Sequence, residues 1–224
     1  MSENRSASLD LRSLVFWPAL ITLAVTLVRL VGELLRGSDR FFSRAAGGNG
    51  AVVGIVWLVP VFGVYFALRL LRAGQSPRST LWSIVGGLLG ILAIPLNALV
   101  WGRLGLSPVA QVLAFCFTFP FVAWAVGRAW PALAKTLFAY GLCARIPVIL
   151  IMLLAILGRW GTHYELGRPD LPPLQPPLLE WLVIGLAPQL GFWVSFTVVA
   201  GSLFGGLAAV VRRRASRSAI PAAS

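Results

Sequence analysis

The chain has 224 residues, of which 58% are hydrophobic and only 12% charged, and its mean hydropathy is +0.85. A soluble domain carries about twice that share of charge, so the chain lacks the material for a water-facing surface, which excludes an ordinary soluble enzyme. The net charge of +12 does not indicate a nucleic-acid partner, because the basic residues stand at the edges of apolar runs and form no basic face of a soluble module.

Crossing the hydrocarbon core takes about 20 apolar residues in a helix. In chain order, spans are predicted over 14–35, 51–71, 81–102, 108–127 and 134–158. A last apolar stretch covers 178–211. Its one break, at Ala187, Pro188 and Gln189, leaves too few residues on its first side for a separate crossing. We read 178–189 as an interfacial or tilted lead-in, kinked at Pro188, and 190–211 as a sixth span. The chain is therefore read as all-α, a polytopic transmembrane helical bundle of about six spans over 14–211. A short tail, 1–13, precedes it and a basic tail, 212–224, follows. Arg5 and Arg12 ahead of the first run resemble a signal peptide, but the run is too long and no small-residue cleavage pattern follows, so an uncleaved helix is expected.

Six spans put both tails on one side of the membrane. With that side as cytoplasm, eleven basic residues lie inside, from Arg5 to Arg217, and six outside: Arg36, Arg40, Arg44, Arg103, Arg159 and Arg168. The positive-inside rule then places both termini in the cytoplasm. Eighteen arginines against the single Lys135, with abundant Ala and Gly, suggest a GC-rich bacterial genome and hence a bacterial inner membrane. Trp17, Trp82, Trp101, Trp130, Trp160 and Trp181 fall near predicted span ends, where the ring suits the headgroup region. Trp57, Trp124 and Trp193 fall deeper.

Polar residues inside apolar runs carry what functional signal there is. Arg145 stands mid-way along the fifth run, where a charge costs at least about 2.5–3.5 kcal/mol unless partnered or wet. Glu33, Glu180, Asn97, Gln111 and Gln189 are its candidate partners, as are carbonyls freed near Pro147. Arg145, Asn97, Gln189 and Glu33 are the candidate binding residues. Arg29 and Glu33, at i and i+4, are close enough for an ion pair. The longest polar connection, 159–177, holds His163, Tyr164 and Glu165 and then five prolines in nine residues, which favour an extended segment. That His–Tyr–Glu run is the alternative site, at the outer surface, because His and Glu can do acid–base work. No metal-ligand spacing, nucleotide loop or hydrolase signature is present, so neither a metal nor a cofactor is expected. Cys116 and Cys143 read as small buried hydrophobes. Gly86/Gly90 and Gly201/Gly205 make small-residue faces for packing within a subunit, against other membrane subunits, or in a homo-oligomer.

The scarcity of catalytic residues leans away from an enzyme. The leading expectation is a permease-like unit or a membrane subunit of a larger assembly, with the lipid bilayer as its surroundings and no nucleic acid. The alternative is an intramembrane enzyme acting on a lipid-linked substrate at the outer surface.

Overall fold

The computed structural model describes residues 10–48, 50–172 and 174–218. Among them 79% are helical and none is in a strand. The principal helices are α1 (Leu11–Leu34), α2 (Asp39–Phe42), α3 (Leu58–Arg72), α4 (Thr80–Arg103), α5 (Pro108–Gly127), α6 (Pro131–Gly158), α7 (Pro177–Glu180) and α8 (Val194–Ser218). Helix starts follow local chemistry. Asp10, Ser79 and Ser107 accept backbone N–H bonds from the first turns of α1, α4 and α5, and Pro108 and Pro131 sit where a helix needs no donor.

Five helical stretches are long and apolar enough to cross a membrane: α1, α4, α5, α6 and Pro177–Ser216. The protein is a multi-pass membrane protein by this measure, and its outward surface agrees. Leu81, Phe117 and Phe121 are each 72% exposed, on a side of the bundle suited to lipid and not to water.

Two predicted boundaries change. The second run was expected to be helical from 51, but α3 begins at Leu58 and has 15 residues, about 22 Å of helix. Residues 51–57 fold back instead: Val52 and Val53 donate to the carbonyls of Arg40 and Phe41. Trp57 therefore lies just ahead of α3, and not deep in a span. The last run is one helical rod of 40 residues, Pro177–Ser216. Its residues 181–186 and 188–193 take the wider π-helical turn. Pro188 has no N–H to give to the α ladder, and the π turns carry the chain past it without ending the helix.

Within the bundle α8 is central. It packs against α3, α4, α5 and α6, while α1 packs against α6. Helices α3 and α4 follow one another in sequence, yet no Cα of one comes within 8 Å of the other among the described residues. One close crossing is glycine on glycine: a Cβ on Gly63 of α3 would lie 2.8 Å from Gly201 Cα of α8. Gly90, Gly201 and Gly205 likewise face neighbouring helices of the same chain, at Val199, Leu137 and Leu133. Tyr140 holds the middle of the core. Its ring meets Phe62 and Phe66 edge-on at 5.3 and 5.5 Å, and its hydroxyl is 2.8 Å from that of Thr22.

The bundle has two ends. At the tail face, Trp130 donates to the carbonyl of Gln75 and Arg212 to that of Leu68. At the loop face, the described residues of segments 35–57 and 159–176 come together over the ends of α1, α3 and α6, and the polar site lies beneath them.

Candidate functional site

Two polar clusters converge on one cavity of about 1030 Å³ under the loop face. The first is centred on Glu33, which is 1% exposed. Arg29 lies one helical turn earlier on α1, and its Nε donates to Glu33 Oε1 at 2.8 Å. Arg29 Nη2 also donates to the carbonyls of Ser43 and Gly48, at 3.1 and 2.9 Å, so one guanidinium ties the 43–48 loop to the helix. Gly48 has φ +70°, and a Cβ there would lie 2.8 Å from Arg29 Nη2 and 2.9 Å from the His163 ring. Only glycine fits both the backbone and the space.

His163 comes to the same carboxylate from the other loop. Its backbone N–H donates to Glu33 Oε2 at 2.9 Å, and its Nδ1 lies 2.5 Å from Glu33 Oε1. A carboxylate only accepts, so Nδ1 carries the proton and Nε2 is left with its lone pair. Burial holds the His163 ring below its ordinary pKa. The hydrogen bond that the ring donates to Glu33 opposes this, and the nearby Arg29 charge adds to it. With Arg29 and Glu33 compensating each other, the neutral imidazole leaves the cluster without net charge. Tyr164 stacks beside His163 at 3.9 Å between ring centres and donates to the Thr26 carbonyl. Burial pushes its phenol pKa up.

The second cluster is Arg145 on α6, 4% exposed. Its Nη1 donates to Gln189 Oε1 at 3.3 Å, and its guanidinium lies 4.6 Å from the centre of the Trp193 ring. Gln189 is fixed in turn by its amide, which donates to Met152 Sδ at 3.6 Å. No carboxylate lies within ion-pair distance of Arg145 among the described residues. Its Nε has no hydrogen-bond partner at all. The π-helical turns around Pro188 are the segment that presents Gln189 and Trp193 to it.

Arg29, His163 and Tyr164 line the cavity near the loops, and Arg145, Gln189 and Trp193 line it farther in. Beyond them it is apolar, with Phe115, Phe192, Phe196 and Phe204 on its walls. Trp101 also lines it, with a buried indole N–H that has no partner.

Arg145 and Gln189 meet directly, while Glu33 stands behind the cavity wall and pairs with Arg29 and His163. Asn97 belongs elsewhere: it donates to Thr118 across the α4–α5 contact and does not reach the cavity lining. His163 and Tyr164 line the same cavity as Arg145, so the inner and outer candidate sites are two parts of one hollow. Glu165 turns to an adjacent smaller hollow, where its carboxylate accepts the Gly161 N–H. The carboxylate that meets His163 is Glu33, 130 residues away in sequence. Trp193 was legible only as a deep tryptophan; its spacing of four from Gln189 was the signal that both flank one position. Among the described residues no cluster of three or more His, Cys, Asp or Glu could hold a metal ion.

Comparison with known protein families, with curated proteins and with solved structures gave no match to this chain.

Proposed function

We propose that this protein is a permease-like unit, or the membrane subunit of a larger assembly, that binds an anionic solute in the cavity beneath the loop face. It is read as residing in a bacterial inner membrane with both termini in the cytoplasm, the arrangement that the distribution of arginines favours. Arg145 carries the functional reading. A buried guanidinium is ordinarily matched by a carboxylate, since an unmatched one costs several kcal/mol. Arg145 has only an amide and an aromatic face as partners, its Nε–H has none, and the residue lines a cavity of about 1030 Å³. Arg29 cannot supply the same attraction, because Glu33 already neutralises it.

The test is saturable binding of small carboxylates, sulfonates and phosphates to the purified protein. At least one class should bind the wild type, and Arg145→Gln should weaken it at least tenfold, the scale of one lost charge-assisted hydrogen bond. If no anion of the panel binds the wild type, the reading fails.

A second reading rests on a separate observation, the carboxylate-oriented imidazole of His163 with Nε2 unclaimed beside the cavity. That is the arrangement of a general base, and it supports an enzyme acting on a lipid-linked substrate. Under that reading His163→Gln abolishes turnover and leaves binding intact. Under the leading reading, transport or binding survives the change.

A further inference from the structure

We infer that the anion is the phosphate head of a lipid-like amphiphile, and that it reaches Arg145 sideways from the bilayer through the gap between α3 and α4. This rests on the reading of the Arg145 cavity as an anion site.

Three observations converge. First, the cavity is far longer than an anion needs. It runs along the central rod from Gln189 to Phe204, fifteen residues or roughly 20 Å of helix. Past Gln189 its lining is aromatic and aliphatic, with Phe196, Ala200 and Phe204 on the rod and Ile91 and Ile94 on α4. A free anion would gain nothing from that portion, whereas a hydrocarbon chain would fill it.

Second, the wall is open where a chain would have to pass. Helices α3 and α4 both pack on α8 but do not approach each other among the described residues. Toward the loop face α3 supplies no wall before Leu58, because residues 51–57 leave the helical path. Val56 and Trp57 on one side and Ala98 on the other line the cavity and are also exposed. They mark a mouth that faces the bilayer. Gly50, Leu166 and Arg168 are exposed lining residues as well, but they lie under the loops, on the route a water-borne anion would take.

Third, the charge fits. The Arg29–Glu33–His163 cluster is neutral as a unit, so Arg145 leaves about one positive charge to be matched. A phosphate ester supplies the matching charge, with oxygens that accept from a guanidinium. Polar groups gathered toward one end of the cavity and apolar walls at the other match an amphiphile with its head toward the loops.

The experiment uses the full chain in nanodiscs of phosphatidylcholine, with saturable binding of radiolabelled dodecyl phosphate and of inorganic phosphate measured against empty nanodiscs. Dodecyl phosphate should bind on the order of a hundredfold more tightly than phosphate, and dodecanol should not displace it. Ala98→Trp, which narrows the mouth without touching the arginines, should slow the association of dodecyl phosphate at least tenfold. Arg145→Gln should weaken the binding of both probes. If phosphate binds as tightly as its dodecyl ester, or if Ala98→Trp leaves the association of dodecyl phosphate unchanged, lateral lipid access is wrong and the anion site stands. If neither probe binds the wild type, both the inference and the anion site fall.

Discussion

Arg29 and Arg145 are two buried guanidinium groups in one cavity, and they are satisfied in different ways. Arg29 has a carboxylate and two backbone carbonyls, and it holds a loop in place. Arg145 has an amide and an indole, and nothing in the fold neutralises it. The first arrangement is structural and the second leaves capacity for a ligand. His163 couples to the first. Its ring titrates below the usual histidine range because burial and Arg29 disfavour a second positive charge. The folded state therefore holds fewer protons than the unfolded chain in the pH range under about 6.5. The stability conferred by the neutral ring is fully present above that pH and is lost as the pH falls below it. Thermal unfolding of the purified protein followed from pH 7.5 to 5.5 should show a falling midpoint, and His163→Gln should flatten most of the decline. A midpoint that rises on acidification would show that Glu33 holds the ring protonated instead.

At the scale of the helices, irregularities of α3 and of the last rod shape the cavity. Helix α3 can sit against α8 only because Gly63 and Gly201 bring the two backbones together. Gly63→Leu should force them apart and cost about 1–3 kcal/mol of stability, read as a lowered unfolding midpoint. Gly74→Ala is the control, since nothing lies within 4 Å of a Cβ at that loop position and any loss there comes from its φ of +76° alone. Most helix boundaries were legible in the sequence because their signals are local: a cap, a proline at the first turn, a run of about 20 apolar residues. Span 108–127 matches α5 at both ends. The late start of α3 was hidden because residues 51–57 are nearly as apolar as a span. What diverts them is pairing with Arg40 and Phe41, which hydropathy does not register. The π turns were hidden for a related reason, as Pro188 announces a disturbance without saying which form it takes.

For the whole molecule, the decisive contacts join distant parts of the chain. Arg145 was legible as a residue needing a partner, and Gln189 was among several it could take; the choice depends on packing α6 against the last rod. That Glu33 meets His163 was not legible, since nothing local links the end of α1 to a loop 130 residues on. The topology also makes a test of orientation simple, because positions 40 and 75 lie at opposite ends of the bundle. With Arg40→Cys or Gln75→Cys introduced after both native cysteines are replaced, a membrane-impermeant thiol reagent on intact cells should label position 40 and spare position 75. The reverse pattern would place the termini outside. The reliance of Arg145 on Gln189 and Trp193 bears, finally, on the order of assembly during synthesis. Both partners belong to the last helical element, so when α6 emerges from the ribosome its central arginine has no shelter yet, at a cost of about 2.5–3.5 kcal/mol. The apolar remainder of α6 outweighs that cost, but the arginine stays unsheltered until the C-terminal rod packs against it, and a chain ending before residue 177 should be more open to quality-control proteolysis.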